Sequence, residues 1–206
     1  MTKDNSQDPF APLLADFSVS FRLIYRDMLD IFEYVEPTAS HELVFSHRIR
    51  ALLFRACAEF ESLAREILVV RGSSKSRSQM KSVDYRTLAG PFRLSSFSGF
   101  VTLWRPVRRR CEPFAAWSDS TRSLPWYSDY HAAKHNRHED FGRANLGAAV
   151  DAVSGLLVLL TTATPFRENE MAGGLNPDGT MSWYYEQLIV LGPTLASGNW
   201  SHDGVR

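Results

Sequence analysis

Leu14, Phe17, Phe21, Ile24, Met28, Ile31 and Val35 recur at alternating spacings of three and four residues, with Asp16, Arg22, Arg26, Asp27, Asp30 and Glu33 off that line. A seam with this period is a helix that buries one face. Pro37 ends it, because proline has no amide to donate and restricts the residue before it. A second seam follows at Phe45, Ile49, Leu52, Ala56, Phe60, Leu63, Ile67 and Val70. Ser40 is the expected N-cap of this helix, with Glu42 in its first turn, and Gly72 is the expected stop. Two long helices joined by Pro-Thr-Ala-Ser predict an antiparallel helical hairpin. Residues 12–36 and 40–71 are the expected spans.

The chain of 206 residues is long enough for one domain with a proper core, here expected at residues 10–165. Its formal net charge of zero conceals an asymmetry. Arg71 to Arg110 holds ten basic residues and one acid, Asp84, so the segment is +9 and the remainder −9. The Ser-rich stretch at 72–82 reads as a polar loop. The aromatic and β-branched residues from Phe97 to Trp104 predict a strand that turns at Arg105-Pro106 and returns through Val107 to Cys111. The result is a β-hairpin inserted at about 95–112, between the second and third helices. Lys75, Arg77, Lys81, Arg105, Arg108, Arg109 and Arg110 are expected to form one continuous positive face. Phe92, Phe97, Phe100 and Trp104 lie among the basic residues as stacking platforms, the pattern of a surface that tracks nucleic-acid phosphates. The alternative is a solvated edge strand protected by its charges.

The segment 125–138 is the densest in groups that titrate or bind anions. Pro125 suits the first turn of a third helix. On such a helix His131, His135 and His138 stand at i, i+4 and i+7, on one face with Tyr127. Tyr130, Lys134 and Arg137 line the next stripe. A fourth helix at 143–162 carries Leu146, Ala149, Val150, Val153, Leu156, Leu157 and Leu160. Residues 166–206 read as a C-terminal extension, with Met171-Ala-Gly-Gly and Asn176-Pro-Asp-Gly as turns, a strand at 182–191 that could join the hairpin, and a tail. Residues 1–9 read as disordered, without the features of a signal peptide. The apolar run after Leu146 contains Asp151 and falls short of the roughly 20 residues that span a bilayer. Neither Cys57 nor Cys111 belongs to a Cys-x-x-Cys pair. Together these features predict a reduced, cytoplasmic protein with no membrane partner.

The order Trp126, Tyr130, Lys134-His135, Arg137, followed by a small-residue apolar helix, resembles a pattern of bacterial proteins in the HEPN (higher eukaryotes and prokaryotes nucleotide-binding) superfamily. The resemblance covers roughly residues 13–162. It implies a mainly α fold, an antiparallel four-helix bundle that often forms a homodimer. Many members are metal-independent endoribonucleases of toxin–antitoxin and phage-defence systems, and others have lost catalysis. The implied partners are RNA and an antitoxin or other protein. The superfamily's catalytic signature, an arginine with a histidine four to six residues beyond it, is absent at every histidine of this sequence, so no catalytic role carries over by position.

From the residues themselves, His135 is the expected general base and His131 or His138 the acid for attack of a ribose 2′-hydroxyl, with Lys134 or Arg137 stabilising the phosphorane. No cofactor is expected. His131 and His135 have a spacing able to chelate zinc, but no glutamate stands between them as a zincin requires. The competing expectation is a structural network. Trp126, Tyr130 and His135 would then pack between helices, and Lys134 and Arg137 would pair with Glu59 and Glu66 of the second helix. That role suits a non-catalytic bundle that binds itself or a partner.

Overall fold

The computed structural model describes residues 11–163, 172–175, 180–185 and 188–194, with side chains over 14–163. The expectations for residues 1–9, for the turn at 176–179 and for the last dozen residues lie outside this set.

The protein is mainly helical. Helix α1 spans Ala11–Phe32 and turns its expected seam inward, with Leu14, Phe21, Ile24, Met28 and Ile31 buried. Helix α2 spans His47–Val70. It buries a wider stripe than one seam, including Leu53, Cys57, Ala64 and Leu68 beside Ile49, Leu52 and Phe60, because it packs against α1 on one side and later helices on others. Gly72 closes α2 with a positive φ of 81°. The Gly72 amide donates to the Val69 carbonyl and the Ser73 amide to that of Leu68, so the left-handed glycine satisfies the last free carbonyls.

The start of α2 differs from expectation. Its N-cap is Ser46, whose hydroxyl accepts from the Ile49 amide at 3.1 Å, and not Ser40, which lies in a 3-10 turn at Ala39–His41. Phe45 leaves the seam and is half exposed. The link between α1 and α2 is therefore residues 33–46. It has its own task, because its carbonyls cap the N-terminus of helix α6 (Leu146–Ala163). Val44 accepts from the Leu146 amide and Glu42 from the Gly147 amide, both at 2.9 Å. Asn145 Oδ1 accepts from the Ala148 amide at 3.0 Å. A helix with a fully buried start must have those orphan amides satisfied.

A short helix α3 at Ser82–Tyr85 precedes the hairpin, whose strands are β1 (Ser98–Val101) and β2 (Arg109–Cys111), antiparallel with Gly99 opposite Cys111. Among the described residues the C-terminal segment has three strands where one was expected: β3 (Ala172–Leu175), β4 (Thr180–Tyr185) and β5 (Leu188–Thr194). Ala172, Gly173 and Gly174, expected within a turn, belong to β3. The apolar run at 182–191 divides, with Tyr185 opposite Leu188. Strand β5 pairs antiparallel with β1, giving a sheet of order β2-β1-β5-β4-β3.

Helix α4 spans Pro125–His135, with proline in its first turn as expected, and a four-residue helix α5 follows at Arg137–Asp140. Helix α6 is apolar and 18 residues long; by length and composition it could cross a membrane, yet 83% of it is buried inside the protein. It packs on α1, α2 and α4. Gly155 allows the closest approach, since a Cβ there would lie 3.0 Å from the Trp126 ring. Trp126 is buried, and its indole N–H donates to the Pro113 carbonyl at 2.8 Å. Phe60 of α2 sits against the rings of Tyr85, Phe114, Trp117, Trp126 and Tyr127, an aromatic centre that joins α2, α4 and the segment between hairpin and α4.

Candidate active site

Successive turns of α2 bring Phe54, Cys57, Glu61 and Arg65 to one stripe, and α4 lays Tyr127, Tyr130, His131 and Lys134 against it. Tyr127 donates to Glu61 Oε1 at 2.7 Å, and Arg65 donates to Glu61 Oε2 at 2.7 Å. Both carboxylate oxygens are thus engaged, one by each helix. The Phe54 ring meets Tyr130 edge-on at 5.1 Å between centroids, and Arg50 lies 4.0 Å above the Phe54 ring. Lys134 donates to the Tyr130 hydroxyl at 3.2 Å while lying over that ring.

His131 packs edge-on against Tyr127 at 4.6 Å and beside Tyr130 at 5.1 Å. His135 stacks on His131 with the rings nearly parallel, 5.9 Å apart. His131 is half buried, and His135 and Lys134 are exposed. Partial burial lowers the His131 pKa from its ordinary value of 6.5; Lys134 and His135 push the same way, and Glu61 opposes them. His131 is therefore the imidazole held neutral near pH 7. The hydrogen bond to Tyr130 raises the pKa of Lys134, which keeps its charge. Burial raises the Tyr130 and Tyr127 phenols, and the Glu61 hydrogen bond adds to the rise at Tyr127, so both remain neutral. Cys57 is buried, and burial followed by the nearby Glu61 charge raises its thiol well above the ordinary range, which makes it inert.

The expected site is thus brought together only in part. Helix α4 ends at His135, because Asn136 leaves helical geometry with φ −128° and ψ 68°. His138 and Arg137 belong to α5, are exposed, and do not share the face of His131 and His135. The acid that meets α4 is Glu61, not Glu59; Glu66 is taken by Arg77. Glu61 and Arg65 were missed because the apolar seam draws attention to its own borders. The signal for them is the i, i+4 series from Cys57 to Glu61 to Arg65.

The basic residues form two groups and not one continuous face. Arg77 holds Glu66 near the C-terminal end of α2 with two nitrogens, and Lys75 pairs with Asp84 beside it. The hairpin lies at the other end of α2. Arg105 pairs with Glu36 at 3.5 Å and its amide donates to the Pro37 carbonyl. With about 1.5 Å of rise per residue, Glu66 and the N-cap Ser46 are roughly 30 Å apart. Arg110 pairs with Glu112, while Arg108 is exposed, and Lys81 is exposed beside Asp84, which its charge and its amide help to hold ionised. Arg109 points inward, because residues 109 and 111 share the inner side of β2. It donates to Glu42 at 2.6 Å, to Asp151 at 2.6 and 3.1 Å, and to the Cys111 sulfur at 2.9 Å. Burial pushes the Cys111 thiol up to about 12, and the Asp151 charge adds to this. Arg77, Arg105, Arg109 and Arg110 thus meet acids from outside the segment, and Arg86 donates to the Ser120 and Arg122 carbonyls.

Comparison with protein-family models, curated proteins and solved structures returns no match.

Proposed function

We propose that this protein is an RNA-directed, HEPN-like helical protein that cleaves phosphodiester bonds without a metal, with its reacting groups on α4. The observation that carries this reading is one pair: exposed His135 stacked at 5.9 Å on half-buried His131, with the Lys134 ammonium on the same turn. His131, kept neutral by burial, takes the proton from a ribose 2′-hydroxyl. The 2′-oxygen forms its bond to phosphorus as the bond to the 5′-oxygen breaks, and His135 returns a proton to that leaving oxygen. Lys134 stabilises the charge on the phosphorane. The products are a 2′,3′-cyclic phosphate and a 5′-hydroxyl. Relative to the sequence expectation the base becomes His131, since burial tunes it, and His138 has no part. The resemblance adds a homodimer and a bacterial defence or toxin setting, with an antitoxin as the protein partner.

The test is incubation of the purified protein with total RNA in EDTA, beside His131→Ala and His135→Ala. Cleavage by the parent protein is expected, and its loss in His135→Ala with an unchanged melting midpoint, because an exposed ring contributes little packing. Cleavage that survives both substitutions, or no cleavage by the parent, overturns the proposal. A second reading, a non-catalytic bundle that binds itself or another protein, is favoured by the ion pairs of Lys75, Arg105, Arg109 and Arg110, which occupy groups a nucleic acid would need. An inert parent protein leaves that reading standing.

A further inference from the structure

Beside the α4 cluster, toward the C-terminal end of α2, lies an open groove of about 460 Å³ lined by Ser62, Arg65, Glu66, Arg77 and Ser78. Ser62, Arg65 and Glu66 share one face of α2 at i, i+3 and i+4, and Arg77 with Ser78 comes from the 3-10 turn at Arg77–Gln79 that faces it. Two guanidinium groups and two hydroxyls therefore line one concave surface from two elements. Arg77 uses Nε and Nη2 on Glu66, and its Nη1 has no partner among the described residues. Half of its side chain is exposed. Glu66 thus holds the guanidinium in place while leaving donors open, and the hydrogen bond from Arg77 keeps the Glu66 carboxyl below its ordinary range.

Arg65 belongs to both places. It lines the groove, and its Nη2 holds Glu61, whose other oxygen is held by Tyr127, the ring against which His131 packs. Glu61 and Arg65 are four residues apart, about 6 Å along α2, and Arg50, which donates to the Ala133 carbonyl between the two histidines at 3.4 Å, lies a further three turns toward the start of the helix.

We infer that the groove between Arg65 and Arg77 is a phosphate subsite that holds the strand several phosphates away from the His131–His135 pair. The inference rests on the proposed function for the identity of the strand. Arg77 Nη1 donates to the phosphate oxygens, as guanidinium groups commonly do, and Ser62 supplies a neutral donor, while the Ser78 hydroxyl is turned to Ser76. The occupant is a backbone phosphodiester, not a base, because the lining offers guanidinium and hydroxyl donors beside the Arg77-held Glu66 carboxylate, and no aromatic face.

The test uses isotope-labelled full-length protein titrated first with inorganic phosphate and then with an eight-nucleotide oligouridylate, while the arginine Nε–H and the serine amide resonances are followed. Saturable shifts at Arg65, Arg77, Ser62 and Ser78 are expected with both probes, with exposed Arg48 and Arg108 as references. Arg77→Ala should weaken phosphate binding about tenfold or more, and Ser62→Ala by less, with both variants folded. Shifts spread evenly over the reference arginines without saturation, or an Arg77→Ala variant that binds like the parent, would overturn the subsite. Cleavage of RNA with an unresponsive groove defeats the subsite alone. A responsive groove in a protein that leaves RNA intact upholds the subsite as an anion site and defeats only the nuclease.

Discussion

Tyr127 donates a 2.7 Å hydrogen bond to Glu61, and this bond joins α4 to α2 at the point where His131 packs on the tyrosine ring. Tyr127 is almost fully buried, so its hydroxyl has no ready substitute in water. Tyr127→Phe removes one of the two donors that hold Glu61 and keeps the ring packing. The expected cost is about 1–2 kcal/mol in urea unfolding. Combining it with Glu61→Gln should cost less than the sum of the two single changes, as coupled partners do. Strict additivity would mean that the bond does not join the helices.

Protonation of His131 should unsettle the fold. Its folded pKa is depressed below the unfolded 6.5, so between the two values the unfolded chain holds more protons. Stability should be full above pH 6.5 and fall as pH drops below it, until the folded pKa is passed. The lowered carboxyls of Glu66, Asp84 and Asp119 act in the same direction but only below their ordinary values of 4.5, 3.8 and 3.8. Urea midpoints between pH 7.5 and 5 should therefore decline in the parent protein and decline less in His131→Gln. Equal slopes in the two proteins would contradict the assignment.

Gly155 has no room for a methyl group. An added Cβ would lie 3.0 Å from Trp126 and 3.4 Å from the Pro113 side chain. Trp126 cannot retreat easily, because its N–H is bonded to the Pro113 carbonyl and its ring abuts Phe60. Gly155→Ala should cost about 1–3 kcal/mol through overpacking, even though alanine is the better helix former. A melting midpoint equal to or above that of the parent would show that α4 yields more readily than this packing implies.

Arg109 should matter for stability and not for nucleic-acid binding. Its side chain is 14% exposed and lies between Glu42 and Asp151, so it ties β2 to the α1–α2 link and to α6. Arg109→Met strands two carboxylates that keep partial access to water, at an expected cost of about 2–4 kcal/mol. Adding Asp151→Leu should recover part of that loss, because it removes the stranded charge from an otherwise apolar helix. A double variant less stable than Arg109→Met would indicate that Asp151 has another role.

The helices were legible because their causes are local. An apolar period of three to four residues, a glycine able to take positive φ after Arg71 and a proline in the first turn of α4 act within a few residues of themselves. The hairpin at Ser98–Cys111 was legible for the same reason. Where α2 begins was not, since Val44 and Phe45 continue the apolar pattern; only the buried N-terminus of α6, a hundred residues away, calls on the Glu42 and Val44 carbonyls. Nor was the fate of the charges, because Arg109 meets Asp151 and Arg77 meets Glu66 through packing that no local spacing encodes. Half of the candidate site was visible in advance: His131, Lys134 and His135 share a helix. Glu61, Arg65 and the separation of His138 were decided by how α4 lies on α2 and by where Asn136 breaks it. Helical periodicity is a property of the chain, whereas a hydrogen bond between helices depends on the rotation and register of both, which the whole core sets together.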